Sequence, residues 1–322
     1  MGSVGYFCTE NPGRATHRTS TTAHETLSFV TRRDHPASLF AFNAPPRTGI
    51  GLALGGGFAR GFAHLGVLQI LEENHIPISC ISGSGIGSVL AAAYAGGTSL
   101  TQIIAKCREI RFRDFACWRT SRFALGSSKR FGAFVQRFFD TRQFEDLSIP
   151  TAIVATDLST GDPVIFKEGP LAEAIRASCA FPGLFGPIMI GTRSLADGSL
   201  VAPVPTRAVY EMGAPVVVGV SVSLHDGQRG APSNVFQVVA RALSAAQKNQ
   251  LESGERYADI ILSPEVQSLA WDDFQRIDDA IEAGATAARN ALPQLRKLSF
   301  QAEESRSELG RQGELLLVEA LQ

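Results

Sequence analysis

The sequence contains no run of about 20 consecutive apolar residues, which is the length that an α-helix needs to span a bilayer. It also begins without the apolar segment of a secretory signal, and Tyr6 stands where a myristoylation signal has Ser or Thr. The formal net charge of −1 gives no overall attraction to nucleic acid. These absences predict a cytoplasmic protein that binds no nucleic acid and that reaches a membrane at most as a peripheral protein.

Cysteine is scarce, and its spacing is not that of a disulfide framework or a metal site. The chain has five cysteines and no C-x-x-C pair; they are Cys8, Cys80, Cys107, Cys117 and Cys179. Both kinds of site would require an even or paired arrangement. We therefore expect mostly buried thiols in a reducing compartment, and neither disulfides nor a zinc site.

Composition divides the chain into three parts. Residues 1–48 are polar, rich in Thr, Ser, Arg and Pro, and without periodicity, which is typical of a flexible extension. Residues 49–295 alternate apolar runs with helical patterns, which predicts one domain whose last helix ends at Pro293. Residues 296–322 are polar and are predicted to form a terminal helix or a tail.

Four apolar runs of the domain have the character of strands that are covered on both faces. They read "GLAL", "PISCI", "TAIVATDL" and "PVVVGVSVSL", and helical stretches lie between them. Strands that alternate with helices predict a doubly wound, mostly parallel sheet. Such a sheet binds its ligands where the strands end in loops and helix N-termini.

A glycine-rich loop, "GGGFARG" at Gly55–Gly61, follows the first of these runs. Its backbone N–H groups could approach an anion closely, and the helix that follows adds the positive end of its dipole. A dinucleotide site is disfavoured, because Arg60 occupies the third-glycine position and Ser82, not an acidic residue, follows the next strand. An oxyanion hole and a simple tight turn both remain open at this point.

A second motif, "GSGIG", lies between the next strand and a helix. This is the strand–turn–helix context in which G-x-S-x-G carries the nucleophile of a serine hydrolase. Small neighbours are present at Gly83, Ser84 and Gly87, but Gly85 stands in the place of the nucleophile. Glycine suits the strained backbone of such a turn, so the fold should persist while the chemistry is lost.

The third motif is "LADGSLVAPVP", in which Asp197 follows an apolar stretch and precedes a glycine. Taken alone, an aspartate in such a loop is more often a turn former than a base. Asp157 in "ATDLSTG" is explained in the same way, as a turn cap.

Together these motifs resemble those of bacterial patatin-like phospholipases, which are serine lipid acyl hydrolases. The resemblance covers roughly Gly51 to Leu295 and includes "GLALGGGFARGFAHLGVL", "ISGSGIGS", "AIRASCAFPGLFGP" and "LADGSLVAPVP". It implies a three-layer α/β/α fold with a mostly parallel sheet, and hydrolysis of a carboxylic ester in phospholipid or another lipid. It implies neither a metal nor an organic cofactor.

The resemblance also implies a role for each motif. Asp197 would be the base of a Ser–Asp dyad, which needs no histidine, and the oxyanion hole would comprise Gly55, Gly56, Gly57 and Arg60. The nucleophilic serine falls on Gly85, which is the main departure from the family pattern. A smaller departure is Ser199, where the family usually has Gly or Ala.

Gly85 leaves three explanations open. Ser84 and Ser88 are poor substitutes, because a displacement of about 1 Å can cost about 100-fold in rate. The chain is therefore predicted to be either a nearly inactive form of a hydrolase or a non-catalytic pseudoenzyme that binds lipid or acyl chains. In the third explanation, Asp197 activates a water molecule in the space that the serine would occupy.

A basic, aromatic stretch follows the predicted elbow helix. Residues 102–139 contain nine Lys or Arg and two acidic residues, interleaved with Phe and Trp. Such a stretch could lie on anionic lipid and cover an acyl pocket. The alternative is a solvated helical face whose aromatic residues belong to the core.

Overall fold

The computed structural model describes residues 48–111, 132, 138, 143–222, 238–239, 241–247 and 255–320, with side chains only as far as residue 301. The predicted extension at 1–48 lies outside the described residues except for its last residue. Most of the basic stretch predicted at 102–139 lies outside them as well.

An eight-stranded sheet forms the centre of the described part of the chain. Its strands are β1 Ile50–Leu54, β2 Ile78–Gly83, β3 Thr151–Asp157, β4 Pro163–Phe166, β5 Ile188–Ile190, β6 Arg193–Asp197, β7 Val216–Val220 and β8 Ile260–Leu262. The order is β5-β6-β3-β2-β1-β7-β8, with β4 paired to β3. Strands β1, β2, β3, β7 and β8 run parallel, whereas β4 and β6 are antiparallel to β3, and β5 is antiparallel to β6.

Helices cover both faces of the sheet. They include α1 Ala63–Glu73, α2 Ile86–Ala95, α3 Leu100–Arg108, α4 Leu171–Ser178, α5 Thr206–Glu211 and α6 Ile277–Ala320. Side chains of β1 alternate between two cores, as a strand with period two requires. Leu52 and Leu54 belong to the larger core with α1, α2 and α4, whereas Ala53 packs with Val209 of α5 on the opposite face. The predicted three-layer architecture with a mostly parallel sheet is confirmed.

Strand β3 determines where two other strands meet. Its residues 153–156 pair with β4 along one edge. The other edge is shared: β2 ends at Gly83 opposite Ile153, and β6 ends at Asp197 opposite Ala155. Because β2 runs parallel and β6 antiparallel to β3, the two strands point toward each other and stop where they meet. Residues 85 and 197 are thereby brought together.

Helix α6 continues through Pro293, so the end that the sequence predicts there is wrong. Proline removes one backbone hydrogen bond, to the carbonyl four residues earlier. That carbonyl belongs to Arg289, which is exposed, as is Pro293 itself, so water can satisfy the freed group. On the other face of the helix, Ala288, Ala291 and Leu295 remain buried against the core. No helix among the described residues combines the length and the apolarity that crossing a bilayer requires.

Two glycines allow α1 and α6 to cross with their backbones almost in contact. A Cβ at Gly284 would overlap the carbonyl group of Ala63, and a Cβ at Gly66 would overlap that of Ile281. Since the clashing atoms are backbone, neither helix can yield without moving as a whole. The crossing holds α1, which follows the glycine loop, in a fixed position.

We predict that Gly284→Ala destabilises the protein, although glycine-to-alanine changes inside a helix usually stabilise by about 0.5–1 kcal/mol. The overlap with Ala63 should dominate and lower the free energy of unfolding by about 1–3 kcal/mol. Chemical denaturation measures the difference. Thr286→Ala, at an exposed position of the same helix, is the matched control and should leave stability unchanged or slightly higher. A stabilised Gly284→Ala protein would contradict the close crossing.

Candidate active site

The turn between β2 and α2 has the sharp backbone that the motif predicts. Gly85 has φ 54° and ψ −131°, in the region with positive φ that favours glycine. The turn is closed by the Gly87 N–H, which donates to the carbonyl of Ser84 at 3.0 Å. Gly83 and Gly87 have no room for side chains, because a Cβ at either position would overlap neighbouring backbone.

Hydrogen bonds hold the peptide groups of Gly85 on both sides. Its N–H donates to Ser178 Oγ at 3.1 Å. Its carbonyl accepts from Ser88 Oγ at 2.6 Å and from Cys179 Sγ at 3.0 Å. Ser178 and Cys179 come from the end of α4, so a distant element fixes the turn. The backbone of residue 85 is therefore held by hydrogen bonds that require no side chain at this position.

The direction of a side chain at position 85 is defined by this backbone. An ideal Cβ on Gly85 would lie 3.5 Å from Oδ1 and 3.6 Å from Oδ2 of Asp197, and 3.3 Å from Cα of Gly56. The three motifs of the sequence thus converge on one point. A hydroxyl one bond beyond that Cβ would lie within hydrogen-bonding reach of the carboxylate.

Asp197 is a buried carboxylate with 4% of its surface exposed. Burial raises its pKa to about 6 from an ordinary value of 3.8, and hydrogen bonds from Ser199 act in the opposite direction. Both of those bonds go to Oδ1: the Ser199 N–H donates at 2.8 Å and Ser199 Oγ at 2.6 Å. The backbone is fixed by the Asp197 N–H to the Ala180 carbonyl and by Thr156 Oγ1 to the Asp197 carbonyl.

The glycine loop lies beside this pair, and two of its N–H groups are already engaged. The Gly55 N–H donates to the Val220 carbonyl and the Gly56 N–H to the Pro203 carbonyl, each at 3.1 Å. Within the described part of the chain, no acceptor is recorded for the N–H groups of Gly57 and Phe58. Among the amides of this loop, those two are available to hold an anion.

Arg60 is buried beneath the loop, with 2% of its surface exposed. Its Nε donates to the carbonyl of Leu269 at 2.8 Å, and the Ala59 N–H donates to that of Trp271 at 3.0 Å. These bonds tie the loop to the segment that precedes α6. The guanidinium therefore supports the backbone of the loop from below.

His64 supports the same loop, and sequence patterns alone did not single it out. The side chain is fully buried, and its Nε2 donates to the Gly55 carbonyl at 2.8 Å. Because a carbonyl can only accept, the proton must be on Nε2, and the buried Nδ1 has no hydrogen-bond partner in the part of the chain that the structure describes. Burial lowers the pKa of His64 to about 4, so the ring is neutral near pH 7.

Aromatic rings flank the loop. Phe58 has φ 52°, which is unusual for a residue with a large side chain. Its ring makes edge-on contacts with Phe181 at 5.1 Å and with Trp271 at 5.2 Å between centroids. This packing holds Phe58 in its strained conformation and places an apolar wall next to the two available N–H groups.

The two neighbouring serines are directed elsewhere. Ser84 Oγ donates to the Pro203 carbonyl at 3.4 Å, and Ser88 Oγ donates to the Gly85 carbonyl.

Among the described residues, no three His, Cys, Asp or Glu side chains are grouped so that they could hold a metal ion.

Comparison with known proteins adds independent findings. Residues 52–210 match the family model described as patatin-like phospholipase. An uncharacterized NTE family protein of Mycobacterium tuberculosis is 32% identical over 289 residues, which cover 80% of this chain and 49% of that protein. The chain thus spans about half the length of the mycobacterial relatives that it matches.

Two further relatives are much longer than this chain. Lysophospholipase NTE1 of Debaryomyces hansenii is 26% identical over 276 residues, covering 76% of this chain and 18% of that protein. Mouse patatin-like phospholipase domain-containing protein 6 is 33% identical over 217 residues, which cover 63% of this chain and 16% of that protein. Among solved structures, VipD from Legionella pneumophila has a TM-score of 0.45 at 13% identity, covering 78% of this chain and 67% of that one.

We predict that Asp197→Asn stabilises the protein at neutral pH. A folded-state pKa of about 6 against 3.8 means that the folded protein holds the proton more tightly than the unfolded chain does. The parent protein should therefore lose stability, by about 3 kcal/mol, as pH rises from about 4 to about 6. Asparagine has no proton to lose and avoids this loss.

Denaturation of both proteins at pH 4 and pH 7 provides the measurement. The stability difference in favour of Asp197→Asn should grow with pH and level off near neutrality. Titration of His64 affects both proteins equally and cancels in the difference. A difference that does not change with pH would show that Asp197 has an ordinary pKa.

Proposed function

Because the chain belongs to the patatin-like phospholipase family, we propose that its site is organised to hydrolyse a carboxylic ester of a lipid through residues 85 and 197. With glycine at position 85, the chain as written retains the site and is nearly inactive. The observation that supports this proposal is the direction of a side chain at 85, whose Cβ would lie 3.5–3.6 Å from both carboxylate oxygens of Asp197.

The proposed reaction follows from the arrangement once a serine stands at position 85. Asp197 accepts the hydroxyl proton while the serine oxygen attacks the ester carbonyl carbon. The negative charge that develops on the carbonyl oxygen is stabilised by the N–H groups of Gly57 and Phe58. The alcohol leaves with the proton from Asp197, and water, activated by the same carboxylate, then releases the acid from the acyl-enzyme.

Glycine at position 85 removes the attacking atom from this sequence and leaves the other groups in place. In an unrelated serine hydrolase, loss of the nucleophile costs about 10⁶ in kcat. The residual activity of this chain would therefore be small. Any turnover would have to use water held by Asp197 in the space above Gly85.

A second candidate function is binding of a lipid or an acyl chain without cleavage. The observation that favours it is the retained turn: at φ 54° glycine fits with little strain, so the turn, the carboxylate and the apolar wall at Phe58 and Phe181 persist without a nucleophile. The basic stretch at 102–139 could bring such a protein to anionic lipid. The name of the yeast relative, a lysophospholipase, makes single-chain phospholipids the first substrates to test.

We predict that Gly85→Ser gains hydrolysis of a short-chain nitrophenyl ester and of a lysophospholipid by about 10³-fold or more over the parent. Gly85→Ala is the matched control, since it carries the same backbone strain without the hydroxyl, and it should gain nothing. The double variant Gly85→Ser, Asp197→Asn should lose most of the gained activity, because the base is then missing. Initial rates at pH 7.5 measure all four proteins.

Each function predicts a different outcome of this experiment. Activity in Gly85→Ser that the double variant loses supports the dyad. If Gly85→Ser stays inactive while a fluorescent fatty acid still binds, the hydrolase proposal fails and the binding function replaces it. Slow turnover by the parent that Asp197→Asn abolishes would instead indicate activation of water by Asp197.

A further inference from the structure

Asp197 has an unequal environment around its two carboxylate oxygens. Oδ1 accepts two hydrogen bonds from Ser199, one from the N–H at 2.8 Å and one from Oγ at 2.6 Å. Among the described residues, no hydrogen bond to Oδ2 is recorded. Any residue other than proline could form the N–H bond at position 199, but the second bond requires a hydroxyl. Serine is thus a specific choice at a position next to the base.

Ser199 is held in turn by Gln247, a buried side chain in the described helical residues 241–247. Gln247 Nε2 donates to the Ser199 carbonyl at 2.9 Å and to Ser199 Oγ at 3.3 Å. The carbonyl fixes the orientation of the amide, because the opposite orientation would place two acceptor oxygens against each other.

These contacts determine the direction of the single hydroxyl hydrogen. Ser199 Oγ receives a hydrogen from Gln247, so its own hydrogen is free to point at Asp197 Oδ1. A hydrogen bond donated to a carboxylate favours its ionised form. It also fixes the rotation of the carboxylate, whose Oδ2 lies 3.6 Å from the Cβ that a residue at position 85 would carry.

We propose that Ser199 and Gln247 are positioning residues that orient the Asp197 carboxylate toward position 85 and keep it ionised near neutral pH. The inference rests on the proposed function of Asp197 as the base, but the state of the carboxylate can be tested without catalysis. Helical stretch 241–247 thereby becomes part of the site, although it lies far from every motif in the sequence.

The test is an NMR titration of ¹³C-labelled aspartate in the full chain with Gly85, in which Asp197→Asn identifies the signal of Asp197. Ser199→Ala should raise the pKa of Asp197 by about one pH unit or more, because a bond to the charged form is lost. Gln247→Leu should raise it less, since the hydroxyl remains but is free to rotate. The double variant should match Ser199→Ala, because Gln247 acts through Ser199.

Matched controls are Ser194→Ala on β6 and Gln69→Leu on the exposed side of α1, which should leave the titration unchanged. If the Ser199→Ala protein does not fold, Ser199→Gly is the variant to titrate instead, because it also lacks the hydroxyl. An unchanged pKa of Asp197 in either Ser199 variant would overturn the proposal. Additive effects of Ser199→Ala and Gln247→Leu would overturn the link through Gln247.

Activity provides the second readout and separates the two proposals. If Gly85→Ser is active, adding Ser199→Ala should shift the acid limb of its kcat/KM profile to higher pH in parallel with the NMR result. If Gly85→Ser is inactive but the titration shifts as expected, the positioning role stands and the hydrolase proposal fails. Labelling of Ser199 by a fluorophosphonate would overturn the positioning role, because Ser199 would then be a nucleophile.

Discussion

The site depends on two strands that approach each other along one edge of β3 and end before they overlap. β2 delivers the turn at Gly85 and β6 delivers Asp197, two positions further along β3 than the end of β2. Hydrogen bonding along a strand fixes positions to a fraction of an ångström, which loops alone do not achieve. The other contacts of the site adjust the orientation of groups whose separation the sheet has already determined.

Burial of ionisable side chains is the second constraint, and it raises the pKa of Asp197 while it lowers the pKa of His64. Asp197 is driven toward its protonated form and His64 toward its neutral form, because both lose hydration. His64 is useful in this state, since a neutral ring with its proton on Nε2 holds the Gly55 carbonyl at any pH well above 4. Asp197 requires help to remain ionised, and Ser199 provides it.

The sequence allowed the architecture and the three motifs to be predicted, because each rests on a local pattern. Apolar runs and glycines at fixed offsets can be recognised in the sequence itself, and Gly83–Gly87 lie where β2 ends and α2 begins. Gln247 and the end of α4 could not be predicted, since they reach the site through contacts between residues far apart in the chain. The error at Pro293 has the same origin: packing along α6 outweighs the local preference of proline.

The cost of burying Asp197 bears on what Gly85 means. A carboxylate that served only to close the turn at Ser199 could be replaced by asparagine, which accepts the same bonds without the penalty of about 3 kcal/mol at neutral pH. This cost in stability is expected where the function of the carboxyl group is to take up and release a proton. A pure lipid-binding site has no use for it, whereas a serine at position 85, or a water molecule in its place, would transfer a proton to it. The chemistry of residue 197 therefore supports the proposed hydrolase function more than the proposed binding function.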